Sequence, residues 1–342
     1  MAPQTFIVST KFWHKLPNGR IQCDVCPRAC KLDEGQKGFC FVRERQDDQV
    51  VLTTYGKSSG LAVDPIEKKP LFHFLPGTEI LSFGTAGCNL NCQFCQNWNI
   101  TKSREADILS SPAYPDEIAK AARDRGIPSV AFTYNEPVVF MEYAIDTAKA
   151  CHEAGIKAVA VTNGYMCGDA RGEFYHHMDA ANIDLKAFTE RFYKTVCGGS
   201  LASVLESLIY VKKETKTWLE ITTLLIPGEN DSEEEIEKLT QWIARNLGPD
   251  VPLHFSAFHP DFKMRDFIRT PPATLFRARE VALKNGLHFV YTGNIQDEEG
   301  STTYCANCRQ SLLERGGFEI TSNRLDKVGR CPACNTICPG VF

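Results

Sequence analysis

The chain has 342 residues, of which 43% are apolar, 23% charged and 10% aromatic, with a formal net charge of −4. That composition excludes an intrinsically disordered chain, and 38 basic against 42 acidic residues exclude a dominant nucleic-acid or anionic-membrane footprint. The anomaly is 15 cysteines, too clustered for a secreted disulfide scaffold and odd in number, so complete pairing within one chain is impossible.

Met1 to Lys15 show no apolar run of signal-peptide length, and no run anywhere approaches the ~18 residues of a membrane span. The expected compartment is the cytoplasm, where clustered cysteines act as metal ligands. Cys23, Cys26, Cys30 and Cys40 come first, spaced C-x2-C-x3-C-x9-C. Four thiolates either close a tetrahedral zinc or hold a [4Fe–4S] cluster completely, and the spacing suits both. Residues 1–79 are punctuated by Gly and Pro and read as a small metal-dependent appendage.

From residue 80 to 294 apolar runs alternate with amphipathic stretches. Strands are predicted over Ile80–Gly84, Ser129–Tyr134, Lys157–Asn163, Asn182–Lys186, Trp218–Ile226, Leu253–His259 and His288–Thr292. Helices are predicted over Pro115–Arg125, Pro137–Glu153, Leu201–Lys213, Asp231–Asn246 with an Asp cap, and Pro272–Lys284. This alternation specifies an α/β fold with a parallel sheet, helices outside, closed or partly closed as a barrel. Ligands in such sheets sit at the carboxyl ends of the strands.

The first of these strands runs into Thr85-Ala-Gly-Cys88-Asn-Leu-Asn-Cys92-Gln-Phe-Cys95-Gln-Asn-Trp98. Three thiolates on one loop reach three corners of a [4Fe–4S] cube and leave one iron open, and open positions mark chemistry. A zinc or electron-transfer loop is the plainer alternative. The pattern C-x3-C-x-(aromatic)-C after a first barrel strand resembles radical S-adenosylmethionine (SAM) enzymes. Gly-Cys-Asn-Leu-x-Cys-x-Phe-Cys-Gln-Asn-Trp is similar to the branch of pyruvate formate-lyase activating enzyme. Nearly end to end, front and tail cysteines included, the chain resembles the AmmeMemoRadiSam-system radical SAM proteins. The resemblance implies a partial (β/α)6 TIM-like barrel with N- and C-terminal cysteine-rich appendages. It also implies that Cys88, Cys92 and Cys95 hold a [4Fe–4S] cluster whose open iron chelates SAM, with Phe94 packed against cluster and adenine. Reductive cleavage of SAM would give a 5′-deoxyadenosyl radical that abstracts hydrogen from a substrate.

The strand ends carry the remaining candidates. Glu136, before Pro137, is projected from the barrel top, where the family's Gly-Gly-Glu-Pro motif holds the SAM amine; Asn135 stands where glycine is usual, and both residues could instead cap the helix. Asn163, in Val161-Thr-Asn-Gly164, could face the ligand or serve a turn; the aspartate of the family's cation site is replaced by Val161. Asp184 and Lys186 share one face of their strand, costly unless paired or ligated, and match an Asp-Leu-Lys motif lining the SAM site. Thr222 replaces an arginine, Leu224 keeps apolar character beside adenine, and His259 aligns with a SAM-contacting histidine. Phe72, His73 and Trp98 could shield the cluster loop or simply pack in the core.

The tail, residues 295–342, pairs Cys305-x2-Cys308 with Cys331-x2-Cys334 at zinc-ribbon spacing, with Cys338 to spare. From Gly293 onward there are 5 basic and 6 acidic residues, so the ribbon lacks a nucleic-acid reader's charge and reads as structural or protein-docking. Cys151, Cys167 and Cys197 stand alone and read as buried hydrophobes. The expected activity is radical SAM chemistry on a polypeptide, with an external flavodoxin- or ferredoxin-type reductant, a Memo-like protein as partner, and neither nucleic acid nor membrane involved. The alternatives are a glycyl-radical-enzyme activase specifically, a non-catalytic Fe–S or zinc interaction protein, and, more weakly, a SAM methyltransferase.

Overall fold

A computed structural model describes residues 6–102 and 111–342; the first five residues of the N-terminal stretch lie outside them. Its centre is one eight-stranded sheet. The strands lie side by side in the order Leu61–Pro65, Glu79–Phe83, Ser129–Phe132, Lys157–Thr162, Ala180–Asp184, Trp218–Leu225, Leu253–Ala257 and Val290–Gly293. All neighbours are parallel except Leu61–Pro65, which runs antiparallel to Glu79–Phe83. The two edge strands are not paired with each other, so the barrel is partial and open on one side. Val290–Gly293 adds a seventh parallel strand to the sixfold unit. The antiparallel edge strand comes from residues that sequence reading placed in the front appendage.

The parallel strands are buried almost throughout, as expected when helices cover the outer face. Pro115–Asp124 turns Ile118, Ala119 and Ala122 inward, and Met141–Glu153 buries Ala144, Ile145, Ala148 and Cys151. The second of these is preceded by a 3-10 turn, Pro137–Phe140, which the sequence periodicity merges with it. Gly155, at φ +74°, ends it in a left-handed conformation that favours glycine. Ser232, not Asp231, caps Glu233–Asn246, by accepting from the backbone of Glu235; Asp231 accepts instead from the N–H of Gly228. Gly168–His176 and the π-turn Tyr193–Cys197 are helical pieces that the apolar periodicity of the sequence does not announce.

The floor of the barrel, at the amino ends of the strands, is polar. Buried Glu220 accepts from the backbone of Phe72 and His73, from Trp218 Nε1 and from His254 Nε2. Phe72 and His73 therefore belong to this floor and not to the loop that carries Cys88, Cys92 and Cys95. The tail is fastened there as well. Arg315, 2% exposed, donates to the carbonyl of Phe72 and lies over its ring, and the carbonyl of Val341 accepts from Leu75. Among the described residues no helix is long and apolar enough to cross a membrane.

Candidate active site

Where the parallel strands end, a cavity of about 280 Å3 opens. Cys88, Cys92 and Cys95 line it together with Phe94, Asn135, Glu136, Asn163, Asp184 and Lys186. The chain thus gathers in one place residues up to 98 positions apart, Cys88 to Lys186, because each sits on or past a strand terminus.

The cysteine loop is held from three directions. Asn91 and Gln93 donate their backbone N–H groups to the carbonyls of Cys197 and Val196, which pins the loop to the π-turn. The amide of Asn135 donates to the carbonyls of Ala86 and Gly87 at 2.9 and 3.0 Å, and its oxygen accepts from Thr85. Asn163 donates to Asn89 Oδ1 at 2.9 Å. So Asn135 and Asn163 position the loop as well as lining the cavity, a use of both residues that strand-end reasoning did not supply. The thiol of Cys95 lies 3.2 Å from Thr101 Oγ1.

Glu136 does two things. One oxygen caps the following 3-10 turn through Val138 and accepts from Thr162 Oγ1 at 2.5 Å; the other accepts from the N–H of Asn163 at 2.8 Å. Burial pushes its carboxyl up to about 7, against the opposing pull of these three donors. Lys186 forms a 2.8 Å ion pair with Asp184, and its ammonium stands 5.7 Å from the centre of the Phe94 ring. The buried Cys197 thiol neighbours Cys92 and, with the positive charges of Lys186 and Lys102, pulls the Cys92 thiol down to about 7. The reading of Cys197 as a plain hydrophobe misses this contact, which only the π-turn creates. Cys197 does not line the cavity.

Val161, Thr222 and Leu224 also face the cavity, and the hydroxyl of Thr222 is buried without a hydrogen-bond partner. Gln96, Asn97, Thr133, Tyr134, Ser256 and Asn294 join the wall unforeseen. Tyr134 holds φ +68°, costly for a bulky residue, and its hydroxyl is tied to Asp64 at 2.9 Å. His259 is exposed past its strand, with Nδ1 beside the Pro260 carbonyl, and is not brought to the cavity wall. Trp98 stacks on Phe262 and stays outside that wall too.

Two further cysteine groups flank the barrel. Among the described residues, Cys305, Cys308, Cys331 and Cys334 are the one set of three or more ligand-type side chains whose donor atoms all lie within 4.8 Å of one another. Cys338 stands apart from them, its sulfur 3.8 Å from His73 Nδ1. Cys23, Cys26, Cys30 and Cys40 line a second, narrower cavity with Arg28, Arg43 and Asn89.

Comparison with known proteins agrees with this arrangement. The Radical SAM superfamily profile matches residues 83–240. An uncharacterized protein of Methanocaldococcus jannaschii is 40% identical over 324 residues, covering 94% of this chain and 96% of its own length. The pyruvate formate-lyase-activating enzyme of Clostridium pasteurianum is 29% identical over 207 residues, 56% of this chain and 84% of that protein. In fold, a radical SAM methyltransferase from Sphaerobacter thermophilus superposes with a TM-score of 0.53 at 14% identity, over 90% of this chain and 82% of that one. The residues fit the groups such enzymes carry: three thiols, an ion pair and a buried carboxyl line one cavity, and Thr222 offers an unpartnered hydroxyl.

Proposed function

Because the chain belongs to the radical SAM superfamily and is an enzyme of that kind, we propose that it cleaves SAM reductively and abstracts hydrogen from a polypeptide substrate. The observation that carries this is the set of three cavity-facing thiols with no fourth cysteine in the wall. Cys88, Cys92 and Cys95 would hold a [4Fe–4S] cluster with one iron left for the methionyl group of SAM. When bound, the cluster would supply one electron to the sulfonium of SAM, releasing methionine and supplying the radical chemistry that takes hydrogen from a substrate.

The chain's own residues bind and orient. Glu136 presents a carboxyl whose two oxygens are held by Val138, Thr162 and Asn163, a fixed acceptor for an ammonium group. Asp184 and Lys186 set a dipolar pair in the same cavity wall, Lys186 against Phe94. Leu224 and Phe94 offer apolar surface for a purine.

A polypeptide substrate is supported by the open side of the barrel. A cleft of about 1240 Å3 runs there and shares Gln96, Ser256 and Asn294 with the cavity. It exceeds the roughly 300–1,000 Å3 of small-molecule pockets. The likeness to a glycyl-radical activating enzyme favours activase work as the narrower reading. A flavodoxin- or ferredoxin-type donor would supply the electron. At the tail, zinc is the metal supported, since Cys305–Cys334 at 3.5 Å and Cys308–Cys331 at 3.6 Å match the edge of a tetrahedral thiolate site.

The test is anaerobic reconstitution, reduction and assay for 5′-deoxyadenosine. Wild type should form it and Cys92→Ala should not; no product from an iron-loaded wild type would sink the proposal. A glycyl-type radical signal on an added partner protein would support the activase reading, and transfer of deuterium from another labelled polypeptide would replace it.

A further inference from the structure

We propose that Cys23, Cys26, Cys30 and Cys40 hold a second, fully ligated [4Fe–4S] cluster, set directly behind the loop that carries Cys88. Zinc and a cubane ask different spacings of the same four thiolates. Zinc draws each sulfur to about 2.3 Å, so neighbouring sulfurs close to roughly 3.8 Å of one another. The tail group has that arrangement. A cubane stands between its ligands and keeps their sulfurs farther apart, one at each corner.

The front group has the wider arrangement. All four cysteines line one cavity, yet no three of their sulfurs fall within the 4.8 Å that gathers the tail set. The space between them is walled by Val25, Val138 and Val139 and by two arginines. Arg43 is 2% exposed; its terminal nitrogens bind Glu142 and the Val138 carbonyl, but its Nε has no hydrogen-bond partner. A buried, unpaired N–H beside a thiolate cage is a donor for cluster or ligand sulfur, and its charge offsets that of the anionic centre.

The placement links this site to the first. Gly87, at φ +84°, packs so closely that a Cβ there would stand 2.1 Å from the carbonyl oxygen of Cys40. Arg28, between Cys26 and Cys30, donates to the carbonyl of Asn89 at 2.8 Å, and Asn89 lines the front cavity. Both neighbours of Cys88 thus touch the front cage, leaving one residue layer between the two centres. With four thiolates the second cluster has no open iron, which restricts it to holding or passing electrons.

The inference rests on the front cysteines and not on the proposed SAM chemistry, and the test keeps the two apart. The full chain is reconstituted anaerobically with iron, sulfide and zinc all available, and metals are counted alongside Mössbauer spectra. The expected content is about eight irons in cubane form and about one zinc per chain. About four irons with about two zincs would overturn the proposal. Cys88→Ala/Cys92→Ala/Cys95→Ala should keep about four cubane irons at the front, and Cys26→Ala/Cys30→Ala should lose about four while keeping the zinc. Should the latter fail to fold, the triple variant still decides: no retained cubane means no front cluster.

Discussion

The amide of Asn135 donates to the carbonyl of Gly87 at 3.0 Å, so the end of one parallel strand holds the residue that precedes Cys88, the first cysteine of the cavity wall. The same amide serves Ala86. In Asn135→Ala both buried carbonyls lose their partner, at a cost of about 1–3 kcal/mol each if unrelieved. The variant should unfold at lower denaturant without a change in slope, and should take up less iron than wild type under equal reconstitution.

Lys186→Met removes the cation shared by Asp184 and Phe94. Asp184 keeps 35% of its side chain exposed and can rehydrate, so the stability loss should be small. The loss should fall on SAM: an affinity about tenfold weaker, worth about 1.4 kcal/mol, read by equilibrium binding to the iron-loaded protein. Unchanged affinity would remove Lys186 from the binding wall.

Glu136 makes folding depend on pH in the metal-free, SAM-free protein. Burial holds its carboxyl near 7, above the ordinary value of 4.5, so the folded state binds more protons than the unfolded state between those limits. Its contribution to stability is complete below about pH 4.5 and declines as pH rises toward 7. Urea midpoints of wild type and Glu136→Gln across that window should diverge, the variant showing the flatter profile.

Cys197→Ala should leave iron content intact, because Cys197 lies outside the cavity wall. Its thiol is the largest influence lowering the Cys92 thiol, so without it that thiol becomes less acidic. Alkylation of Cys92 in the apo-protein near neutral pH should slow, as followed by peptide mass spectrometry. Loss of the cluster instead would make Cys197 a ligand.

Cys308→Ala should release about one zinc and lower Tm, since structural zinc sites contribute folding energy directly. SAM cleavage per iron-loaded chain should persist, the tail group being separate from the cavity wall.

Much of the active site was legible because it is written locally. The cysteine loop, Glu136 before Pro137, and Asp184 with Lys186 each follow a strand, and a parallel sheet brings all strand ends to one face. What escaped depends on contacts across the chain. Leu61–Pro65 shows no alternation and is mostly exposed, so nothing in its pattern announces an edge strand. Gly168–His176 carries two glycines and weak amphipathicity. The nearness of Cys197 to Cys92, and of Cys40 to Gly87, requires segments over 40 residues apart to pack first. His259 was carried by alignment alone, and no geometry supports it.

Arg315 reaches back 243 positions to the carbonyl of Phe72. Until the ribbon has been synthesised and has folded, that carbonyl lacks its donor. The barrel floor is therefore closed only when a segment 243 positions downstream has folded against it, so the front of the chain owes its last contact to its far end.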